Sequence, residues 1–347
     1  MKIAFRVDAS SEVGTGHVMR CLTLANELRT LGAASFFICR KKPGDLIEHI
    51  KKQGYHVYEI SGESDAWKYE VDQVIQILEK QSDIDWIVVD HYGLDAQWEK
   101  IVRPFVHKVM VIDDLADRPH DCDLLLDQNL YQNMNLRYTG LVPVSAKLFL
   151  GPSHTLLREE FLSTSKKEEW DGRIEQILVS FGGTDPTNET TKVLRAIEML
   201  DQKPNVDVVI GKSSPNLEEI CDYCQDKTWT KVHIQTKEMA KLMAAADLAI
   251  GAGGSTVWER FYMRLPSLVI ETASNQKEII TFLQEKGAIV YLGHSVAVSD
   301  KDIFLQLKKV LDDKPYIMGV WQSMNEIWKD HQPYGVSKYM MGGEHHE

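Results

Sequence analysis

Gly14-Thr15-Gly16-His17 is the first stretch of this chain whose residue types could do chemistry. An apolar run at 2–7 leads to Asp8 and then to a loop whose glycines let backbone approach a ligand closely. The loop ends by delivering one imidazole to the start of a helical pattern, where it can act as a proton acceptor. The positive end of a helix favours the neutral ring that a base requires. A nearby carboxylate such as Asp8, or phosphate oxygens of a bound substrate, works in the opposite direction. A loop histidine without chemistry is the alternative reading, and two further glycine loops weigh against it.

The first of these is Ser180-Phe181-Gly182-Gly183-Thr184-Asp185-Pro186, between a strand pattern and a helix pattern. Its glycines leave backbone N–H groups exposed, and Thr184 or Asp185 suits a helix cap. A plain turn explains it equally well. The second is Gly251-Ala252-Gly253-Gly254-Ser255-Thr256, followed one turn later by Glu259. A helix start of this kind can hold a diphosphate through amides and the dipole. Glu259 is placed to accept hydrogen bonds from vicinal ribose hydroxyls, or else to lie solvated on its helix. Two helix starts prepared for anions in one half of the chain favour a nucleotide diphosphate.

Other chemistries fit poorly. A dinucleotide fingerprint needs G-x-G-x-x-G directly after its strand, whereas Met19 occupies the third glycine position and six residues separate Asp8 from Gly14. No G-x-x-x-x-G-K-[ST] occurs. Cys221 and Cys224 form a C-x-x-C pair inside a helical pattern at 215–225, with no second pair for zinc, and read as two helix thiols. Asp90 and His91, with Asp113 and Asp114 downstream, can be drawn as a metal site, but no ligand spacing requires one. The expectation is no metal and no cofactor.

The elements that must position these loops alternate. Strand patterns fall at 2–7, 35–39, 55–60, 86–90, 108–113, 124–127 and 147–151, with helical patterns at 17–31, 45–53, 66–80 and 96–103. A polar stretch at 163–169 reads as an interdomain boundary. The alternation then restarts, with strands at 176–180, 206–210, 231–235, 247–250, 267–270 and 289–291. Helices are expected at 187–200, 237–246, 255–263, 276–286, 300–311 and 316–329. Short β-rich runs separated by helical segments imply βαβ units and parallel sheets. The reading is an α/β protein of two doubly wound, Rossmann-like domains facing a cleft, at 1–162 and 170–315. A helical segment at 316–341 is expected to cross back to the first domain, and 342–347, with His345 and His346, to be a frayed tail. Ligands in such sheets bind at the carboxyl ends of the strands, where the three loops lie.

Composition sets outer limits. Subtracting 51 acidic from 39 basic residues gives −12, which suits neither nucleic acid nor an anionic membrane. No apolar run reaches the roughly 18 residues of a membrane helix, and no secretory signal is visible, so no membrane insertion and a cytoplasmic location are expected. Five cysteines, an odd number, suit a reducing compartment.

The run Gly253 to Glu259, then Leu265-Pro266, then Glu271 to Gln276, resembles nucleotide-sugar glycosyltransferases of the two-domain GT-B type. The stretches from Asp8 to Cys21, Val89 to Gly93, Val111 to Asp114, Asp121 to Asn129 and Leu150 to Pro152 resemble the UDP-sugar hydrolases of pseudaminic acid biosynthesis and their spore coat polysaccharide relatives. The resemblance implies hydrolysis of UDP-2,4-diacetamido-2,4,6-trideoxy-β-L-altropyranose to free sugar and UDP. It carries over His17 as general base, Tyr92 and Asn275 near the sugar, and Ser255, Thr256 and Glu259 as nucleotide contacts. Gly14, Gly16, Gly182, Gly183, Gly253, Gly254 and Gln276 complete the expected substrate site. Tyr92 can also be an aromatic at the core edge, and Asn275-Gln276 a cap for the following helix. A nucleoside diphosphate leaves without full protonation when amides stabilise its charge, so one base suffices, with inversion at the anomeric carbon. A GT-B glycosyltransferase using the same type of UDP-sugar is the alternative.

Overall fold

The structure is a computed structural model of the 347-residue chain and describes residues 1–10, 15–62, 67–328 and 331–343. The chain forms two compact units, Met1–Leu157 with His331–Glu347, and Arg158–Asp330.

In the first unit seven parallel strands are joined in the order β3-β2-β1-β4-β5-β6-β7. They are β1 (Lys2–Val7), β2 (Ala34–Arg40), β3 (His56–Ile60), β4 (Trp86–Asp90), β5 (Lys108–Ile112), β6 (Leu124–Asp127) and β7 (Lys147–Leu150). Helices α1 (Gly16–Thr30), α2 (Ile47–Lys52), α3 (Val71–Gln81) and α4 (Ala96–Val102) connect them. The near-continuous apolar runs of β1, β4 and β6 follow from burial on both sheet faces. One core holds Phe5, Leu24, Leu28 and Phe37, and the opposite one Ile38, Val74, Leu78 and Trp98. In α3 the buried Val71, Val74 and Leu78 fall on one helical stripe.

The second unit repeats this plan with six parallel strands in the order β10-β9-β8-β11-β12-β13. They are β8 (Gln176–Ser180), β9 (Asn205–Ile210), β10 (Thr230–Ile234), β11 (Leu248–Ala252), β12 (Ser267–Glu271) and β13 (Val290–His294). Its helices are α5 (Glu159–Leu162), α6 (Glu189–Glu198), α7 (Leu217–Cys224), α8 (Met239–Ala245), α9 (Thr256–Tyr262), α10 (Lys277–Glu285), α11 (Asp300–Asp312) and α12 (Lys314–Ile327). Strand order reverses between β1 and β4 in the first sheet and between β8 and β11 in the second. These are the points where ligands bind in doubly wound sheets.

The chain ends differ from the expected division. Helix α12 stays with the second unit, where Ile317 and Val320 join its core. The first unit regains the chain only from His331, through a further helix, α13 (Gly335–Met340). Val336 and Met340 enter the first core, Ser337 Oγ donates to Glu27 Oε2 at 2.8 Å, and Trp86 Nε1 donates to the Met340 carbonyl at 3.2 Å. At the front boundary, α5 belongs with the second unit, its Phe161 buried among Leu178, Met243 and Leu265. A helical period identifies a buried stripe but not which of two cores it joins.

Candidate active site

At the first reversal, Val7 pairs with Asp90 across β1 and β4. His17, the second residue of α1, directs Nδ1 to Asp90 Oδ1 at 2.5 Å. Arg20, one turn further along α1, grips the same carboxylate twice, Nε to Oδ2 at 2.6 Å and Nη2 to Oδ1 at 2.7 Å. Its Nη1 reaches Asp114 Oδ2 at 2.9 Å. Burial works to raise the Asp90 carboxyl, but Arg20 and then His17 hold it well below the ordinary carboxylate range. An ionised Asp90 accepts from Nδ1–H and so fixes the tautomer that leaves Nε2 with a lone pair. Nε2 bonds nothing among the described residues and is not sealed in the interior, although the His17 side chain is only 9% exposed. The Tyr92 ring meets the imidazole edge-on, with centroids 4.5 Å apart. The arrangement is an imidazole held at Nδ1 by a buried carboxylate, with Nε2 left to face outward.

Asp8, the carboxylate that sequence places nearest the loop, serves elsewhere. Fully buried Arg6 binds both its oxygens, at 2.6 and 2.9 Å, and also Glu70, which Arg40 holds from the other side. Burial raises the Asp8 carboxyl, while Arg6 and His91 hold it well below the usual range. His91 turns Nε2 toward Asp8 at 3.3 Å and accepts the Gly93 amide on Nδ1. Asp113 ion-pairs with Arg118 at 3.0 Å. Asp90 and Asp114 thus share Arg20, His91 turns to Asp8 and Asp113 to Arg118, and no cluster of three or more His, Cys, Asp or Glu able to hold a metal occurs among the described residues.

At the second reversal Ser180 pairs with Gly251 across β8 and β11. The two loops there differ from one another. The start of α6 is already closed by a carboxylate of the chain, since buried Asp185 accepts the Glu189 amide at 3.0 Å and the Thr190 amide at 2.9 Å. The expectation that this helix start is open to an anion is therefore corrected: only the exposed Gly182 and Gly183 backbone before it remains available. Pro186 lies in the turn that precedes α6. At α9 the opening is retained. The amides of Gly254, Ser255 and Thr256 meet no acceptor among the described residues, and Ser255 caps the helix without a side-chain hydrogen bond.

Gln276 shapes this loop as a brace. Its Oε1 accepts from the Gly253 amide at 3.2 Å and the Thr272 amide at 3.1 Å, tying the end of β11 to the end of β12. Gly253 is required by close packing, because a Cβ there would lie 2.2 Å from Ile280 Cδ1. Asn275 is exposed in the single turn Ser274–Gln276. Helix α10 takes Gln276 as its cap residue, without a capping bond from the Gln276 side chain. Glu259 is half-buried, not solvated: Oε1 accepts from Arg158 at 3.0 Å, and Oε2 has no partner among the described residues. Burial raises its carboxyl, with Arg158 opposing.

Gly14 lies outside the described residues, as do His345 and His346. Gly16 opens α1. Cys221 and Cys224 are free thiols on α7, the second buried. No helix among the described residues is long and apolar enough to cross a membrane. Sequence reasoning missed Asp90 and Arg20 as partners of His17; the signal available was Arg20 three residues after His17 and an aspartate closing an apolar strand. It also missed Arg158 as the partner of Glu259, for which no local signal exists.

Residues 177–318 match the Glycosyltransferase family 28 C-terminal domain. The chain is 31% identical over 288 residues to the UDP-2,4-diacetamido-2,4,6-trideoxy-beta-L-altropyranose hydrolase of Campylobacter jejuni, covering 83% of this chain and 97% of that one. It is 24% identical to the spore coat polysaccharide biosynthesis protein SpsG of Bacillus subtilis, over 91% of this chain and 90% of the other. Among solved structures, MurG of Acinetobacter baumannii aligns with TM-score 0.68 at 15% identity, over 98% of this chain and 99% of that one. The spinosyn rhamnosyltransferase SpnG complexed with thymidine diphosphate aligns with TM-score 0.68 at 13% identity, over 98% and 99%. The last two likenesses show the fold, which is GT-B. With the hydrolase matched along nearly its whole length, the chain belongs to the family of the UDP-2,4-diacetamido-2,4,6-trideoxy-β-L-altropyranose hydrolases and their spore coat relatives, proteins of glycosyltransferase-like build.

Proposed function

We propose that this protein hydrolyses a UDP-linked 2,4-diacetamido-2,4,6-trideoxy sugar to the free sugar and UDP, without a metal, in the biosynthesis of a pseudaminic acid-like or surface polysaccharide sugar. The reading assigns water activation to the first unit and the nucleotide to the second. His17 Nε2 takes a proton from water while the water oxygen bonds to the anomeric carbon. The bond from that carbon to the β-phosphate oxygen breaks, its electron pair leaves with UDP, and the sugar inverts. Asp90 then faces an imidazolium, which it stabilises without itself taking the proton. The amides of Gly254, Ser255 and Thr256, with the Gly182-Gly183 backbone, receive the diphosphate, and the unpartnered Oε2 of Glu259 receives ribose hydroxyls. Tyr92 and Asn275 are assigned to the sugar.

The observation that carries the reading is the 2.5 Å contact of His17 Nδ1 with Asp90, an ion kept charged by Arg20. The match to a family 28 glycosyltransferase domain fits a transferase equally well, and one assay separates the two. UDP-sugar incubated with the protein alone should release UDP at the full rate. Release only on adding an acceptor would make the protein a transferase, and binding without release would make it a nucleotide-sugar binding module.

A further inference from the structure

Four arginines are buried among the described residues: Arg6, Arg20, Arg40 and Arg260. The first three lie in the first unit and each is ion-paired, Arg6 with Asp8 and Glu70, Arg20 with Asp90 and Asp114, Arg40 with Glu70. Arg260 lies one turn into α9, 3% exposed, and has no such partner there. Its Nη2 donates to the Ala252 carbonyl at 2.7 Å, and Nε has no partner among the described residues. Glu259, its neighbour in sequence, is engaged by Arg158. Burial pulls the Arg260 guanidinium down to about 10, with Glu259 only partly opposing. A buried charge without a counter-ion is unfavourable and is found where something else supplies the opposite charge.

The place of this charge says what that is. Arg260 reaches the carboxyl end of β11 beneath the loop that runs from Ala252 to Thr256. A Cβ at Gly251 would lie 2.7 Å from its Nη1 and 2.4 Å from the Ser180 carbonyl, so glycine at 251 is what lets the guanidinium approach the reversal point. Ser180, Thr256 and Arg260 line a small cavity there, with room for about one water molecule. A phosphate does not fit inside it, so the guanidinium acts through its field, which a low-dielectric surrounding transmits well.

We infer that Arg260 is the built-in counter-charge for a diphosphate held on the Gly253–Thr256 loop, a buried cation that acts through its field and whose opposite charge arrives only with the nucleotide. The inference rests on the nucleotide reading above and adds to it a positioning residue that touches neither sugar nor base. It also predicts which part of the ligand feels the residue: the phosphates and not the nucleoside.

The test is calorimetric affinity for UDP, UMP and uridine in the parent, Arg260→Gln and Arg260→Lys. Glutamine keeps a donor for the Ala252 carbonyl without the charge, and lysine keeps the charge. Arg260→Gln should lose roughly 10- to 100-fold in UDP affinity, less for UMP, and nothing for uridine, while Arg260→Lys stays within about threefold of the parent. Equal UDP binding by the Gln variant overturns the inference and leaves the nucleotide reading standing. Equal losses for UDP and uridine, or a Lys variant as weak as Gln, make the residue merely structural and overturn it too. The parent alone supplies a further arm, should a variant fail to fold: inorganic pyrophosphate should raise its melting temperature and compete with UDP, and no effect overturns the inference. A parent that binds neither UDP nor pyrophosphate defeats the nucleotide reading and this inference together.

Discussion

Where strand order reverses in the first sheet, the ends of β1 and β4 carry Asp8 and Asp90, with His17 and Arg20 from α1 packed onto the second. Where it reverses in the second sheet, the ends of β8 and β11 carry Gly182, Gly183, Gly253 and Gly254. The topology is the same and the chemistry is opposite. The first point is filled by ionised side chains that neutralise one another and fix one imidazole. The second exposes backbone amides at its glycines, and Arg260, buried beside it, has no ion-pair partner among the described residues. On the function proposed above, one backbone plan serves proton transfer in one copy and anion binding in the other, because the plan fixes where loops converge and leaves their composition free.

This division can be broken experimentally. The largest effect should come from His17→Ala, which is expected to lower kcat by about 10²–10⁴ while leaving UDP affinity unchanged. Weakened UDP binding with normal turnover would move His17 to the nucleotide side of the comparison. Gly253→Ala should do the reverse, since its Cβ collides with Ile280 and displaces the loop. Overpacking of this kind costs about 1–3 kcal/mol of fold stability, and the displaced loop should lower UDP affinity by roughly 10-fold or more in titration calorimetry. Unchanged affinity would show that the loop does not hold the nucleotide.

The smallest effect concerns stability. In the first unit Tyr138 Oη lies 3.0 Å from Asp127 Oδ2 and 3.1 Å from Asp113 Oδ2, and one hydroxyl proton cannot serve both. Burial pushes the Asp127 carboxyl up to about 7, the Asn129 amide opposing. A folded value above the unfolded value of about 3.9 means a contribution to stability fully present below pH 4 and lost as pH rises toward 7. Asp127→Asn should therefore melt above the parent at pH 8, with the gap closing as the pH falls from 7 to 4. A gap independent of pH would show that Asp127 is ionised in the fold.

Much of this was legible in the chain because it is local. Strand runs buried on both faces, the restart of the βαβ pattern after 170, and a histidine at the junction of a glycine loop and a helix are each written within a few residues. The partners were not. Asp90 is 73 positions from His17, and in sequence it looks like any aspartate that ends a strand. Asp8, adjacent to the loop, was the nearer candidate and is consumed by Arg6. Asp185 reads as a cap that leaves its helix receptive, whereas capping by a carboxylate is what closes that helix to another anion. The closing helix α13 is short, and only its seat against Glu27 and Trp86 reveals which unit it completes.

The pairing of His17 with Asp90 is the centre of the account, and Asp90→Asn tests it most directly. Asparagine keeps the shape and removes the charge that holds the Nδ1–H tautomer. Measured side by side, UDP release should fall at least about 10²-fold with UDP affinity equal to the parent's. Release at the parental rate would contradict the assignment of His17 as a base oriented by Asp90.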